Sequence, residues 1–221
     1  MRLTKCDFMR GVQCAKMLWL DKHKSQFKVI PPDVRARLDA GNDFGDMAMG
    51  MFGDYAEMTA YTADGRIDCA TMIANTQAHL GKGTSVICEG AFAAGNLYCA
   101  VDILRREEDG AYSMYEVKNT FEVEPQFILD ASFQYYVVSQ SVKINKVYIV
   151  THGGNDTFVP HDVTELVAIT QKGIPAMIRT INNACDTAIE PNCPCDDHCA
   201  KPYRCWYWDY CHQKENSHIG E

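Results

Sequence analysis

The sequence has no stretch approaching the ~18 uninterrupted apolar residues of a membrane helix. Residues 1–28 alternate charged and apolar side chains and carry no signal-peptide-like apolar centre. A cytoplasmic chain with no membrane partner is therefore expected. Internal repeats and low-complexity linkers are also missing, so Gly, Pro and changes of period are the only punctuation. Nor is there an excess of positive charge. With 21 Lys+Arg against 29 Asp+Glu the formal charge is -8, which excludes a general electrostatic grip on nucleic acid. The deficit is uneven, since residues 1–40 hold nine basic and four acidic side chains. A local grip through Lys16, Lys22, Lys24, Lys28, Arg35 and Arg37 stays open, as does a merely solvated helix face.

What is present is a globular composition, 47% apolar and 23% charged over 221 residues, with eleven cysteines. The length suits a single domain over 1–221, read as a helical unit (1–32), a core with its C-terminal helix (33–184) and a Cys-rich tail (185–221). Eleven thiols cannot all pair, and a reducing compartment disfavours disulfides, so metal ligation is the better reading of the cysteines.

Periodicity predicts a helix over 4–25 with Thr4 as N-cap, and helical pattern from Asp33 to about Tyr61 despite four glycines. Strands follow at 84–88, 97–106 and 111–118, the last two joined at Asp109-Gly110. A helix from Pro125 to about Val142, a strand at 146–151 and a helix over 163–184, capped by Asp162 with Glu165 and interrupted at Gly173 to Pro175, complete an α/β order with a mixed sheet. After Cys185 few signs of regular structure remain.

Within the three-stranded meander, Asp102 interrupts an apolar strand, and Glu116 and Lys118 share one face of the next. A hairpin can set Asp102 beside Glu116, and two such carboxylates repel unless a cation joins them. Oxygen ligands of this kind suit Mg²⁺ or Mn²⁺. Beside such an ion Lys118 can hold a water, which is the recipe for phosphodiester hydrolysis. Glu89 is a third carboxylate within reach. The bland alternative is a solvent-facing row of charge.

This pattern of Asp102, Glu116, Val117 and Lys118 resembles the PD-(D/E)XK nuclease superfamily. The resemblance implies a restriction-endonuclease-like core of helix, three-stranded meander, helix and strand, with Asp102, Glu116, the Val117 carbonyl and Glu89 on the metal and Lys118 at the water. Asp130 and Gln134 lie one turn apart on the following helix, before Tyr135 and Tyr136. This helix is similar to the one bearing Gln-x-x-x-Tyr in the RecB-like branch, with Val138 at the Tyr position. Gln134 would there orient Lys118 or the scissile phosphate. That branch often takes a metal-binding His from the helix before the sheet. Residues 33–61 contain none, and Glu89 is the candidate substitute.

Cys14 sits in the first helical stretch, while Cys193, Cys195, Cys199, Cys205 and Cys211 crowd the tail. The even spacing of the last three leans towards an iron–sulfur cluster over zinc. The arrangement resembles the RecB-like exonucleases of CRISPR adaptation and the AddB subunit of the AddAB helicase-nuclease. That resemblance implies a [4Fe-4S] cluster on Cys14, Cys199, Cys205 and Cys211, joining the N- and C-terminal segments. Cys6 rivals Cys14, and Cys185, Cys193, Cys195 or His198 could replace a ligand or build a separate zinc site. Cys69, Cys88 and Cys99 read as small core residues, and Met47 to Met58 as core packing. Trp206, Tyr207, Trp208 and Tyr210 would shield the cluster, with base stacking as a second use.

The resulting expectation is an Mg²⁺- or Mn²⁺-dependent deoxyribonuclease, an exonuclease on single-stranded DNA or DNA ends, with a DNA-repair or CRISPR-type protein partner unidentified. The rivals are a weakened nuclease fold that only binds DNA or protein, and a zinc-stabilised interaction domain.

Overall fold

The computed structural model describes residues 2–155 and 157–218, the side chains of 214–218 excepted. In chain order the elements are β1 (Leu3–Thr4), α1 (Lys5–Gln13), α2 (Ala15–His23), α3 (Pro32–Ala48), β2 (Ala56–Glu57), α4 (Cys69–Lys82), β3 (Val86–Ala94), β4 (Leu97–Arg106), β5 (Tyr112–Val117), α5 (Pro125–Val138), β6 (Ile144–His152), β7 (Phe158–Asp162), α6 (Thr164–Thr170), α7 (Ile174–Cys185) and α8 (Trp208–His218). They divide into two compact units, one of Met1–Lys5 with Ala40–Ile174, the other of Cys6–Asp39 with Pro175–Glu221.

The first unit is a mixed α/β layer structure. Among the described residues its sheet has seven strands in the order β2-β3-β4-β5-β6-β7, with β1 paired to β4. β3, β4 and β5 form an antiparallel meander, β6 lies parallel to β5, and β7 returns antiparallel. The crossover from β5 to β6 is α5, which buries Phe127, Ala131, Phe133, Val137 and Val138. Such a connection is what a parallel pair requires. Ala48, Met49, Val86, Cys88, Ile103, Tyr115 and Val150 form one apolar cluster of the sheet, with Phe52 and Phe158 against it. The Thr76 hydroxyl of α4 accepts the Ala91 N–H of β3 at 2.8 Å and donates to the Met72 carbonyl at 2.8 Å, so a buried polar group is satisfied on both sides. Among the described residues no helix is long and apolar enough to cross a membrane.

The second unit is helical, built from both sides of the sheet domain's sequence. Gly11 of α1 lies against Ile181 of α7, so closely that a Cβ there would stand 2.9 Å from the Ile181 Cδ1. The helix expected over 4–25 is in fact two, because Cys14 takes extended backbone (φ -161°) and becomes the N-cap of α2. The helical pattern beyond Asp33 stops at Ala48; a 3₁₀ turn over Met49–Phe52 and Gly53 at φ +86° lead into β2. The tail contains a helix after all, α8, where the aromatic residues had masked the helical period.

Candidate functional site

The carboxylate row is set by strand register. The rungs Cys88↔Ile103 and Gly90↔Val101 put Glu89 opposite Asp102, and continuing the β4–β5 register one residue past its last rung, Ile103↔Tyr115, sets Asp102 against Glu116. Residues directly opposite in antiparallel strands share a face with Cβ atoms about 5 Å apart. Three carboxylates therefore line one face across β3, β4 and β5. Glu89 holds its position with φ +53°, a left-handed conformation that L-residues other than Gly rarely adopt, and it interrupts the β3–β4 rungs there. Backbone strain of this kind persists only where the surroundings enforce it.

Asp102 Oδ2 accepts the Val117 N–H at 2.6 Å, tying β4 to β5 one residue past Glu116. Glu116, 1% exposed, is the hub. Its Oε1 accepts from Lys118 Nζ at 2.6 Å and from Lys5 Nζ at 3.0 Å, and its Oε2 accepts the Gln134 amide. Asp130 closes the group from α5: its Oδ2 takes Lys118 Nζ at 2.5 Å and its Oδ1 the Gln134 amide at 3.2 Å. The Gln134 carbonyl oxygen is buried and has no hydrogen-bond partner among the described residues.

The electrostatics separate these carboxylates into two kinds. Burial first, then the neighbouring Asp102, pushes Glu89 up from its ordinary 4.5 to about 8. Burial and Glu116 push Asp102 from 3.8 to about 7. For Glu116 burial acts in the same upward direction, but Lys118 and Lys5 outweigh it and hold the carboxyl well below the usual range. Burial pulls Lys118 down, while Asp130 and Glu116 outweigh it and keep the ammonium charged. Glu89 and Asp102 are thus short of positive charge and Glu116 is not. A hard divalent cation is the ligand that oxygen donors so crowded would accept.

The structure brings together Glu89, Asp102, Glu116, Lys118 and Gln134, all chosen from sequence. Gln134, expected to orient Lys118 or the phosphate, donates to Glu116 and Asp130, the two carboxylates that hold Lys118. Two participants were not chosen. Asp130 was visible one turn from Gln134. Lys5 had no sequence signal, since it is brought in by a strand only two residues long.

In the helical unit, Cys14, Cys195, Cys199, Cys205 and Cys211 gather with Met17, Trp19, Leu20, Tyr207 and Trp206 in one apolar cluster. Tyr207 is fully buried and donates to Asp21 at 2.7 Å; Trp19 donates to the Thr187 carbonyl at 2.9 Å. Burial and the adjacent Cys193 push Cys14 up to about 12, and burial, with Cys211 and Cys199 nearby, pushes Cys205 up to about 11. Buried thiols crowded in this way stay protonated until a soft metal takes their protons' place. Donor type and apolar wrapping both fit a thiolate-held centre.

Within this unit a tighter group stands out. Ligand atoms of Cys14, Cys193 and His198 lie within 4.8 Å of one another. Cys14 Sγ is 3.7 Å from Cys193 Sγ, and His198 Nε2 is 3.5 Å from Cys193 Sγ and 3.6 Å from Cys199 Sγ. Tetrahedral zinc, with Zn–S of about 2.3 Å and Zn–N of about 2.0 Å, would require edges of about 3.8 Å and about 3.5 Å. The other ring nitrogen of His198 contacts the Asp196 carboxylate, the usual outer partner of a metal-ligating imidazole. Much of the basic N-terminal cluster is engaged inside this unit: Lys16 and Lys24 pair with Glu190 at 3.1 and 2.9 Å, and Lys28 with Asp21 at 3.1 Å. Arg10 and Lys28 both lie over the Trp206 ring, 4.2 and 4.6 Å from its centre.

No family model and no curated protein matches the chain. Among solved structures it is similar to an alkaline exonuclease (LHK-Exo) from Laribacter hongkongensis, with a TM-score of 0.34 and 11% identity over 51% of this chain and 65% of that one. It is also similar to SSO0001, with a TM-score of 0.27 and 12% identity over 78% of this chain and 85% of that one. At 65%, the match takes in less than two thirds of the exonuclease's length.

Proposed function

We propose that this chain is a metal-dependent DNA nuclease, an exonuclease on single-stranded DNA or DNA ends. The observation that carries the reading is the row Glu89, Asp102 and Glu116 on one face of three neighbouring strands, with the Lys118 ammonium 2.6 Å from Glu116. Asp102, Glu116, Glu89 and the Val117 carbonyl would hold Mg²⁺ or Mn²⁺. Such an ion supplies a Lewis acid for a phosphoryl oxygen and offsets the charge that builds there. Lys118, fixed between Glu116 and Asp130, would position and polarise the attacking water. Gln134 would hold the Glu116 and Asp130 carboxylates in place. The core would then be of the restriction-endonuclease-like kind, within a single PD-(D/E)XK domain.

The helical unit would carry a structural metal centre. The sequence resemblance supports [4Fe-4S] on Cys14, Cys199, Cys205 and Cys211, and the crowding of these thiols in an apolar cluster supports the same set. One observation favours a second reading, a single zinc on Cys14, Cys193 and His198: their ligand atoms lie within 4.8 Å of one another, and the close sulfur–sulfur and sulfur–nitrogen distances of 3.7 and 3.5 Å match tetrahedral edges.

The test is an anaerobic digestion with Mn²⁺ on single strands labelled at either end, for the parent and for Lys118→Ala. Cleavage by the parent alone is expected, and a folded parent that cuts neither strand defeats the nuclease reading. Iron and zinc content of the same preparation, compared between Cys193→Ser and Cys205→Ser, decides the centre. Loss of a brown cluster with Cys205 supports iron–sulfur; loss of colourless zinc with Cys193 supports the single ion.

A further inference from the structure

A fork in the sheet delivers a second ammonium group to the carboxylates. β3 occupies one edge of β4 along nearly its whole length, so β1 and β5 share the other. β1 takes the first part, Leu3↔Leu97 and Thr4↔Tyr98, and β5 the last, from Ile103↔Tyr115 to Arg106↔Tyr112. Between them, from Cys99 to Asp102, β4 forms no rung on that edge among the described residues, and β1 and β5 part there. Lys5 follows Thr4 directly into this opening. Its Nζ stands 3.0 Å from Glu116 Oε1 and 4.0 Å from Asp130 Oδ1. The same Glu116 oxygen already accepts Lys118 at 2.6 Å.

Two ammonium groups on one carboxylate oxygen is more than a single purpose requires. Glu89, Asp102, Glu116 and Asp130 set against Lys5 and Lys118 leave two formal negative charges, which one divalent cation cancels. An arriving phosphodiester adds a further negative charge and needs a cation that is not already committed. Lys118 keeps Asp130, 2.5 Å away, whatever Glu116 does. Lys5 is 21% exposed above a Glu116 that is 1% exposed, so it lies on the solvent side, where a strand would approach.

Resting on the nuclease reading above, we propose that Lys5 is a phosphate-binding residue of this site. In the metal-free protein it neutralises Glu116. When Glu116 ligates a divalent cation, Lys5 is released and its long side chain turns to a non-bridging oxygen of the DNA phosphate. Lys5 is then both a competitor of the metal and a grip on the substrate.

The experiment compares the parent with Lys5→Gln, Lys5→Ala and Lys5→Arg in three readouts: Mn²⁺ affinity by calorimetry, anisotropy of a labelled single strand with Mn²⁺ over a salt series, and cleavage. Lys5→Gln is expected to bind Mn²⁺ several-fold more tightly. It should bind the strand about tenfold more weakly, and the slope of log affinity on log salt should fall by about 0.7, the value of one phosphate contact on a single strand. KM rises with it, and Lys5→Arg restores strand affinity and slope. Unchanged strand affinity and slope in Lys5→Gln overturns the proposal, as does weaker Mn²⁺ binding in a folded variant. Should Lys5→Ala fail to fold, Lys5→Gln and Lys5→Arg carry the comparison. If the parent itself does not cleave, the nuclease reading fails, while the Mn²⁺ and salt-series data still decide what Lys5 binds.

Discussion

Replacing Asp102 by Asn should stabilise the metal-free protein and remove its response to metal. Asp102 stands between Glu89 and Glu116 in register. Like charges about 5 Å apart repel by about 3 kcal/mol at an effective dielectric constant of about 20. Lys5 and Lys118 recover part of this, and the balance, with burial as its largest cause, is an Asp102 carboxyl pushed up from 3.8 to about 7. At full value that displacement corresponds to roughly 4 kcal/mol, and solvent screening at a half-buried group reduces it to about 2 kcal/mol. For a chain of this length Tm should rise by about 4–8 °C near pH ~8 in EDTA. Asn keeps a carbonyl oxygen for the Val117 N–H, so the link between β4 and β5 survives. Because the folded pKa is raised, this group's contribution is greatest below 3.8 and is lost as pH climbs through about 7. The advantage of Asp102→Asn must therefore shrink to nothing near pH ~4. At about 100 times its Kd, Mn²⁺ should stabilise the parent by about 2.7 kcal/mol and leave the variant unchanged. Thermal melts at the two pH values, with EDTA and with Mn²⁺, read all of this. A variant less stable than its parent at the higher pH without metal, or one stabilised by Mn²⁺ to the same extent, would refute the reasoning.

Two further changes probe the backbone. Glu89→Gly accepts φ +53° without strain, whereas Glu89→Ala does not, so urea unfolding should find the Gly variant more stable than the Ala variant by about 1 kcal/mol, with Mn²⁺ affinity reduced in both; equal stabilities would remove strain from the account. In the helical unit, Gly11→Ala places a methyl 2.9–3.0 Å from three Ile181 atoms and should cost about 1–3 kcal/mol, partly recovered by Ile181→Ala in the same chain. A fully stable Gly11→Ala would mean that the two helices do not pack as closely as described.

The elements most legible in the sequence were those whose pattern is local. The hairpin at Asp109-Gly110 and the alternation around it placed β4 and β5 to the residue or nearly so, and with them Asp102, Glu116 and Lys118 on one face. Glu89 was placed after a short strand, yet β3 runs on to Ala94; the strand continues through a left-handed residue that no pattern of apolar residues announces. β1 and β2, two residues each, are too short to have a period, and with β1 the arrival of Lys5 was hidden. Cys14 was found, but not the break it makes between α1 and α2, because the apolar stripe runs through it undisturbed. His198 stood in the sequence only as one possible replacement ligand among several, and Asp196 carried no signal; the fold sets the imidazole against sulfur on one side and the Asp196 carboxylate on the other.

The division of the polypeptide has a consequence for biosynthesis. Residues 6–39 leave the ribosome well before 175–221, the rest of their unit. The sheet-bearing stretch, 40–174, is contiguous apart from its short leading strand and can begin to fold during synthesis. Cys14 must meanwhile wait some 180 codons for Cys193 and those that follow. Assembly of that cysteine cluster thus waits for the later segment, and a nascent chain stalled before that point would expose α1 without the Ile181 side chain it packs against.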